Sequence, residues 1–331
     1  PRETRLEIST PSTTRPWSIA ISPDGLTIAF VAESEGVPTL WVRPLNAVAA
    51  RPLRGTSGAT DPFWSPDSQS IGFFANGKLK RIDLSGGAPQ SLADALQPYG
   101  GAWSRNGTII FAPHQLSPLL QVSADGGVPS AVTQLAPGHV GHMFPRFLPD
   151  GVHVLYFVDG GPTDIRGAYI GRLDGTPPRK LLSVREPAAY ASTGHLLFVR
   201  DNEIFAQAFD VARLELRGSA FRIADRVAAR LGDYAHLAAI STSNTGDIVY
   251  RGAGIASGRQ LTWYNRSGEP VRRVGPADPF RVQDTLSVSP DGQRVALCRT
   301  VDGNLDVWIM DLTRNGAMTR VTLDPAEDIA P

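Results

Sequence analysis

At 331 residues the chain exceeds an average domain, and its apolar fraction of 42% is that of a soluble globular protein. Lys plus Arg and Asp plus Glu both number 32, so the net charge is zero and the basic surplus of a nucleic-acid binder is missing. No apolar stretch approaches the roughly 18 residues of a membrane span, and Cys298 stands alone in an apolar run, which excludes disulfides and reads as a small buried hydrophobe.

The chain opens Pro1-Arg2 with no charged-then-apolar leader, as expected of an excised piece or of a protein whose leader has been removed. Leu6 to Ile8 follow as a candidate closing strand. Then a short phrase begins to recur. Ser22-Pro23-Asp24-Gly25 returns as Ser65-Pro66-Asp67-Ser68, Ser104-Arg105-Asn106-Gly107 and Leu148-Pro149-Asp150-Gly151. Ala191-Ser192-Thr193-Gly194, Ser243-Asn244-Thr245-Gly246 and Ser289-Pro290-Asp291-Gly292 complete the set. A period of about forty to fifty residues points to a propeller or a solenoid. In each phrase proline presets φ, Asp or Asn tolerates unusual backbone, and the closing Gly takes φ > 0 without steric cost, so the phrase reads as a type I turn closing with a bulge between two antiparallel strands.

Each turn has the same surroundings. A short apolar run precedes it, as in Trp17 to Ile21, Pro62 to Trp64, Gly101 to Trp103 and Met143 to Phe147. A run apolar throughout follows, as in Ile28 to Ala32, Ile71 to Ala75 and Val154 to Val158, and reads as a strand buried on both faces. A third run comes next, such as Leu40 to Val42 or Val307 to Leu312. The fourth is weaker and carries Arg and Thr on its solvent side, as an exposed edge does. The expected fold is all-β: a β-propeller of seven four-stranded blades, six or eight being the alternatives, filling residues 1–331 as a single domain. Helical arrays need long Pro-free stretches, whereas 27 prolines and 33 glycines punctuate this chain. The ending, from Pro325 to Pro331, looks like the opening of a further first strand, so the chain is expected to be a fragment.

Chemical motifs are scarce. No Gly-x-Ser-x-Gly occurs, and Gly55-Thr56-Ser57-Gly58 breaks the spacing of a nucleophile elbow. His139-Val140-Gly141-His142 offers two imidazoles but no nearby Glu or Cys to complete a metal site. Asp302-Gly303-Asn304-Leu305-Asp306 imitates a calcium loop but has Val307 where the Gly belongs. Gly252 to Gly258 resembles a dinucleotide fingerprint with Ser257 in place of the third Gly, ahead of a strand instead of a helix. The reading is therefore no catalytic residue, no metal and no cofactor. Loops between blades are longer and richer in aromatic and ionisable residues than the repeated turns, and recognition usually resides on such loops. Trp17, Asp61, Tyr99, His142, His236, Arg281 and Asp284 are the candidate ligand-binding residues, expected to ring one channel mouth.

Ser-Pro-Asp-Gly, an apolar strand, then Leu40-Trp41-Val42 or Val307-Trp308-Ile309, then an Arg-Leu-Thr-like edge resembles the TolB-type, WD-like propeller repeat across nearly the whole chain. Phe63-Trp64-Ser65-Pro66-Asp67, Phe147-Leu148-Pro149-Asp150-Gly151 and Thr322-Leu323-Asp324-Pro325 resemble in particular the C-terminal propeller segments of bacterial transmembrane serine/threonine kinases. That resemblance implies an extracytoplasmic, periplasmic location and a non-catalytic sensor or binding role in a receptor, for a protein, peptide or small-molecule partner. The alternative is the gating propeller of a prolyl-oligopeptidase-like serine peptidase whose catalytic domain lies outside these residues.

Overall fold

The computed structural model describes residues 6–160, 164–225, 227–230, 237–252, 259–278, 281–301, 304–314, 316–324 and 328. His236, the loop 253–258, Asp302, Gly303, and 325–327 and 329–331 of the terminal candidate strand lie outside them. Every regular element among the described residues is a β-strand, and no helix is long and apolar enough to cross a membrane.

The chain divides into two compact units, residues 1–252 and 253–331. In the first, five antiparallel four-stranded sheets follow one another in chain order. They are β1–β4 (Ile19–Ile21, Thr27–Ser34, Val37–Pro44, Arg51–Pro52), β5–β8 (Thr60–Trp64, Ser70–Ala75, Lys78–Asp83, Gln90–Asp94) and β9–β12 (Gly101–Trp103, Thr108–Phe111, Leu120–Ser123, Ser130–Ala131). Next come β13–β16 (His139–Phe147, His153–Gly160, Gly167–Arg172, Arg179–Leu182) and β17–β20 (Ala189–Ala191, His195–Arg200, Glu203–Asp210, Glu215–Ala224). A sixth group pairs β21 (Ala229–Arg230) with β22 (Leu237–Ala238) and β23 (Ile240–Thr242) with β24 (Ile248–Tyr250). The second unit holds the hairpin β25–β26 (Arg259–Tyr264, Pro270–Asp278) and a four-stranded sheet β27–β30 (Arg281–Val288, Arg294–Val301, Asn304–Asp311, Ala317–Arg320). The sixth repeat thus has its first two strands in one unit and its last two in the other.

The first unit closes on itself. Apolar side chains meet between sheets one and two (Val31, Leu40, Trp64, Phe73), two and three (Phe63, Phe74, Ile109, Phe111), and three and four (Ile110, Leu119, Val154, Tyr156). They meet again between four and five (Leu148, Leu155, Leu196, Phe198), and between five and six (Leu197, Ile204, Ala238, Ile240). The sixth group returns to the first sheet through Val249 against Ile21, Ile28 and Phe30. The β23 strand also bonds both neighbours: the Ile21 N–H donates to Ser241 Oγ at 3.0 Å, and Thr242 Oγ1 donates to the Tyr190 carbonyl at 2.9 Å. Ile28 to Ala32, Ile71 to Ala75 and Val154 to Val158 are buried throughout, as a strand packed between two blades must be. Leu6 to Ile8 form no strand, contrary to expectation, because the ring is already sealed by β23. Ile8 instead packs on the Ile21–Phe30 cluster.

The repeated turn behaves alike in both units. Its closing residue has positive φ at all seven positions: Gly25 (75°), Ser68 (62°), Gly107 (83°), Gly151 (68°), Gly194 (81°), Gly246 (101°) and Gly292 (66°). The leading serine explains its own recurrence. Ser22, Ser65 and Ser289 each donate from Oγ to the Asp two residues on at 2.5 Å, and accept the N–H of Thr27, Ser70 and Arg294 at 2.8–2.9 Å. At Asp67 and Asp291 the serine hydroxyl, and then a backbone N–H, hold the carboxyl below its ordinary range. Consecutive turns also touch, since Asp24 N–H donates to Ser68 Oγ at 3.2 Å and Asn244 N–H to the Pro23 carbonyl at 2.9 Å. In the first unit these turns therefore share one face of the ring.

A side chain at Gly25 would collide with Thr245 Oγ1 and Asp247 Oδ2, whereas nothing lies within 4 Å of the same position at Gly292. Gly25→Val is expected to lower stability by about 3 kcal/mol or more, from the left-handed φ and the clash together, and Gly292→Val by about 1–3 kcal/mol from φ alone. Urea midpoints measure the difference, and equal losses at the two sites would contradict this account.

Candidate functional site: the central cavity

The six inner strands of the first unit, β1, β5, β9, β13, β17 and β23, enclose a central cavity of about 270 Å³. On the turn face its lining includes Pro23, Pro66, Arg105, Pro149, Ser192 and Asn244, and at the opposite end Trp17, Asp61, Gly100, Phe144 and Leu237. Charged groups among these lining residues are Asp61, Arg105 and Arg146.

The stretches of β5, β9 and β13 that lead into their turns are built alike. Asp61 (φ 47°), Gly100 (φ 83°) and Phe144 (φ 50°) all occupy the left-handed region, each four residues before its turn begins. Pairing slips by bulges between Thr60 and Phe63 and between Met143 and Arg146. Pro62 and Pro145 sit inside those bulges, where no ladder donor is needed. A left-handed backbone costs a bulky residue about 1–3 kcal/mol and collects at functional positions. Only a glycine fits the middle member: a Cβ on Gly100 would lie 2.9 Å from Phe144 Cδ1 and 3.1 Å from Phe144 Cα.

Two of the residues expected from the sequence line this mouth. Trp17 packs against Met143, Phe144, Phe157 and Leu237. Asp61 is buried, and its N–H donates to Ser18 Oγ at 3.2 Å. Tyr99 stands just behind them. Its ring meets Phe144 edge-on at 5.8 Å, its carbonyl accepts the Phe144 N–H at 2.7 Å, and its hydroxyl donates to Gln115 Oε1 at 3.1 Å.

His142 does not reach the channel mouth. It is fully buried between the third and fourth sheets, beside Tyr156, where Nε2 meets His139 Nδ1 at 2.9 Å and Nδ1 meets Thr133 Oγ1 at 2.8 Å. The physical reason is strand length: β13 begins at His139, so His142 is a strand residue whose side chain packs inward. His236 lies outside the described residues. Arg281 and Asp284 fall on β27 of the second unit, and their side chains are likewise outside what the structure describes. Phe144, Arg146 and Leu237 were not among the sequence candidates. The signal for Arg146 was positional, since it stands two residues before Leu148 as Phe63 stands two before Ser65.

Burial, reinforced by the neighbouring His139, pushes the His142 imidazole down to about 3 from an ordinary 6.5. Burial alone also lowers His139. Arg146 is held below its ordinary range by desolvation, and half-buried Tyr190 is held above its own by the same cause.

No family model matches the chain. The curated "Uncharacterized peptidase YuxL" of Bacillus subtilis (strain 168) is 28% identical over 146 residues, a match covering 43% of this chain and 22% of that protein. The match thus spans about a fifth of the relative's length. Among solved structures, putative TolB from Agrobacterium tumefaciens is similar at a TM-score of 0.52 and 17% identity, covering 70% of this chain and 87% of that one. TolB from Acinetobacter baumannii is similar at 0.49 and 17%, covering 58% and 51%.

The buried histidine generates a pH dependence. Its folded pKa is depressed, so the unfolded chain binds the proton first. The stability it contributes is whole above pH 6.5 and is lost as pH falls toward 3. The loss should reach at most about 1.4 kcal/mol per pH unit for one proton. Urea unfolding between pH 7 and 4 should show a shallower slope for His142→Gln than for the unaltered chain; parallel slopes would contradict the assignment. With its strand pattern and the Agrobacterium structure pointing the same way, the fold of this chain is that of a TolB-like β-propeller.

Proposed function

We propose that the chain is a non-catalytic binding module whose principal surface is the strained mouth of the central cavity, recognising a protein, peptide or small-molecule partner. The observation that supports it most is the convergence there of an aromatic anchor, Trp17, a buried carboxylate, Asp61, and two left-handed non-glycine residues, Asp61 and Phe144, on a ring closed by six apolar interfaces. Small concave sites with a few placed polar groups are where ligands bind, and aromatic anchors dominate their energetics. Resemblance to the propeller segments of receptor kinases supports a sensor role on the extracytoplasmic side of a bacterial membrane.

The second reading, the gating propeller of a serine peptidase, is favoured by one observation, the 28% identity to a relative named as a peptidase. The two readings differ in what surrounds these residues and in turnover. Panning a random peptide library on the chain should enrich peptides that lose about 10-fold or more affinity on Trp17→Ala, equivalent to about 1.4 kcal/mol, with the variant's thermal midpoint measured alongside. Peptides that bind both forms equally would move the site elsewhere. Cleavage of the peptides, or of ester or glycoside substrates, would overturn the non-catalytic reading.

A further inference from the structure

Arg146 stands within the central cavity, whereas Arg105, the other basic residue of the lining, is exposed on the turn face. Arg146 projects from β13 into the central cavity, and its guanidinium reaches across to the sixth group, where Nη2 donates to the Ile240 carbonyl at 3.4 Å. That is a long contact for a group carrying five N–H donors. No ion pair joins it to a carboxylate among the described residues, although arginines on the outer strands of the same ring, such as Arg81, Arg172 and Arg222, each have one. The side chain is half-buried, and a charge partly withdrawn from water carries a penalty that a counter-charge or full hydrogen bonding would offset. Such an arrangement persists where a ligand supplies the missing acceptor.

We infer that Arg146 forms an anion subsite inside the central cavity that takes the carboxylate of the bound ligand, a reading that rests on the cavity being the binding site. The chemistry narrows the class. A planar guanidinium offers a carboxylate two parallel hydrogen bonds. One guanidinium balances one negative charge, which matches a carboxylate better than a phosphate dianion. A volume of about 270 Å³ suits a small organic acid or the last residues of a peptide, not a folded domain. The walls around Arg146 favour such a ligand: Pro145, Phe147, Tyr190 and Leu148 are mainly apolar, and Ser241 and Thr242 already spend their hydroxyls on the ring.

Two sources of the carboxylate are separable by experiment. Three pools of short random peptides are passed over the immobilised chain: free C-terminus without acidic side chains, amidated C-terminus with one Glu, and amidated without Glu. A panel of acetate, succinate and citrate is measured by calorimetry. Retention of the free-acid pool identifies a peptide terminus, retention of the Glu pool an acidic side chain, and binding confined to the panel a small organic acid. Each supports the inference if Arg146→Gln reduces affinity by about 10- to 100-fold and Arg146→Lys by less, because the charge stays and the fork is lost. A second readout guards against a folding defect: Arg146→Met should leave the thermal midpoint unchanged or raise it, and the carboxylate probe should raise the midpoint of the unaltered chain only. Equal retention of all pools, insensitive to Arg146→Gln, would overturn the anion subsite while leaving the binding-module reading in place. Binding of no probe at millimolar concentration would overturn both.

Discussion

Each repeat of this protein depends on a tight turn, serine-anchored in five of the seven, that hands the chain from its first strand to the second strand beside it. The turn succeeds because two demands are met within four residues. The closing residue must adopt a left-handed φ, and it does so at all seven repeats, even at Ser68, where no glycine is present. The leading hydroxyl must also be satisfied, because Ser22, Ser65, Ser104 and Ser243 are buried. Donating to the Asp or Asn two residues on, or at Ser243 to Asp247, and accepting a backbone N–H at the start of the second strand settles both of its roles. The same bonds fix hairpin register, and a slip of one residue would turn a fully apolar strand such as Ile71 to Ala75 out of its packing. Since neighbouring turns also bond one another, local register and ring geometry are set by one motif.

This is why the fold is legible in the sequence. Turn chemistry is local, so Pro-Asp-Gly announces itself wherever it stands, and the second strands are apolar throughout because sheets cover both of their faces. The fifth repeat lost Pro-Asp yet kept Gly194, and it folds as a complete sheet. The division of the sixth repeat between two units was not readable. It depends on Val227 and Ala228 returning to pair with Gly252 and Arg251, a contact between residues more than twenty positions apart.

The cavity was readable only in part, for a related reason. Trp17 and Asp61 were found because an aromatic and a carboxylate ahead of an inner strand stand out by type. His142 was misplaced because β13 starts at His139, earlier than its apolar run suggests, and a strand residue faces its neighbours instead of the loop end. Phe144 looked like ordinary core. What distinguishes it is its backbone, and the trace of that in the sequence is Pro145, a residue tolerated in a strand where a bulge removes the need for a donor. Asp61-Pro62 carries the same trace, and Gly100-Gly101 reaches the same backbone by a cheaper route.

Strain ahead of the turns and a half-buried guanidinium without a counter-charge are both unfavourable, and they occur in the same few residues of β5 and β13. A marginally stable protein keeps such features only where the surrounding structure over-determines them. Here six apolar interfaces close the ring, and each inner strand is bonded on one side and packed on both flanks, so Phe144 cannot relax without displacing Tyr99, Gly100 and Leu237. That rigidity has a chemical consequence. Arg146 is held two residues from the strained Phe144, its stem fixed by a bulge that aims it across the cavity and not along the wall. A ligand carboxylate arriving there would meet a donor fork already oriented by the bulge and the Ile240 contact, so less ordering entropy opposes binding. Strain in the frame and an unmet charge within it are thus two sides of one arrangement, in which folding energy holds a binding group in a state that only its ligand completes.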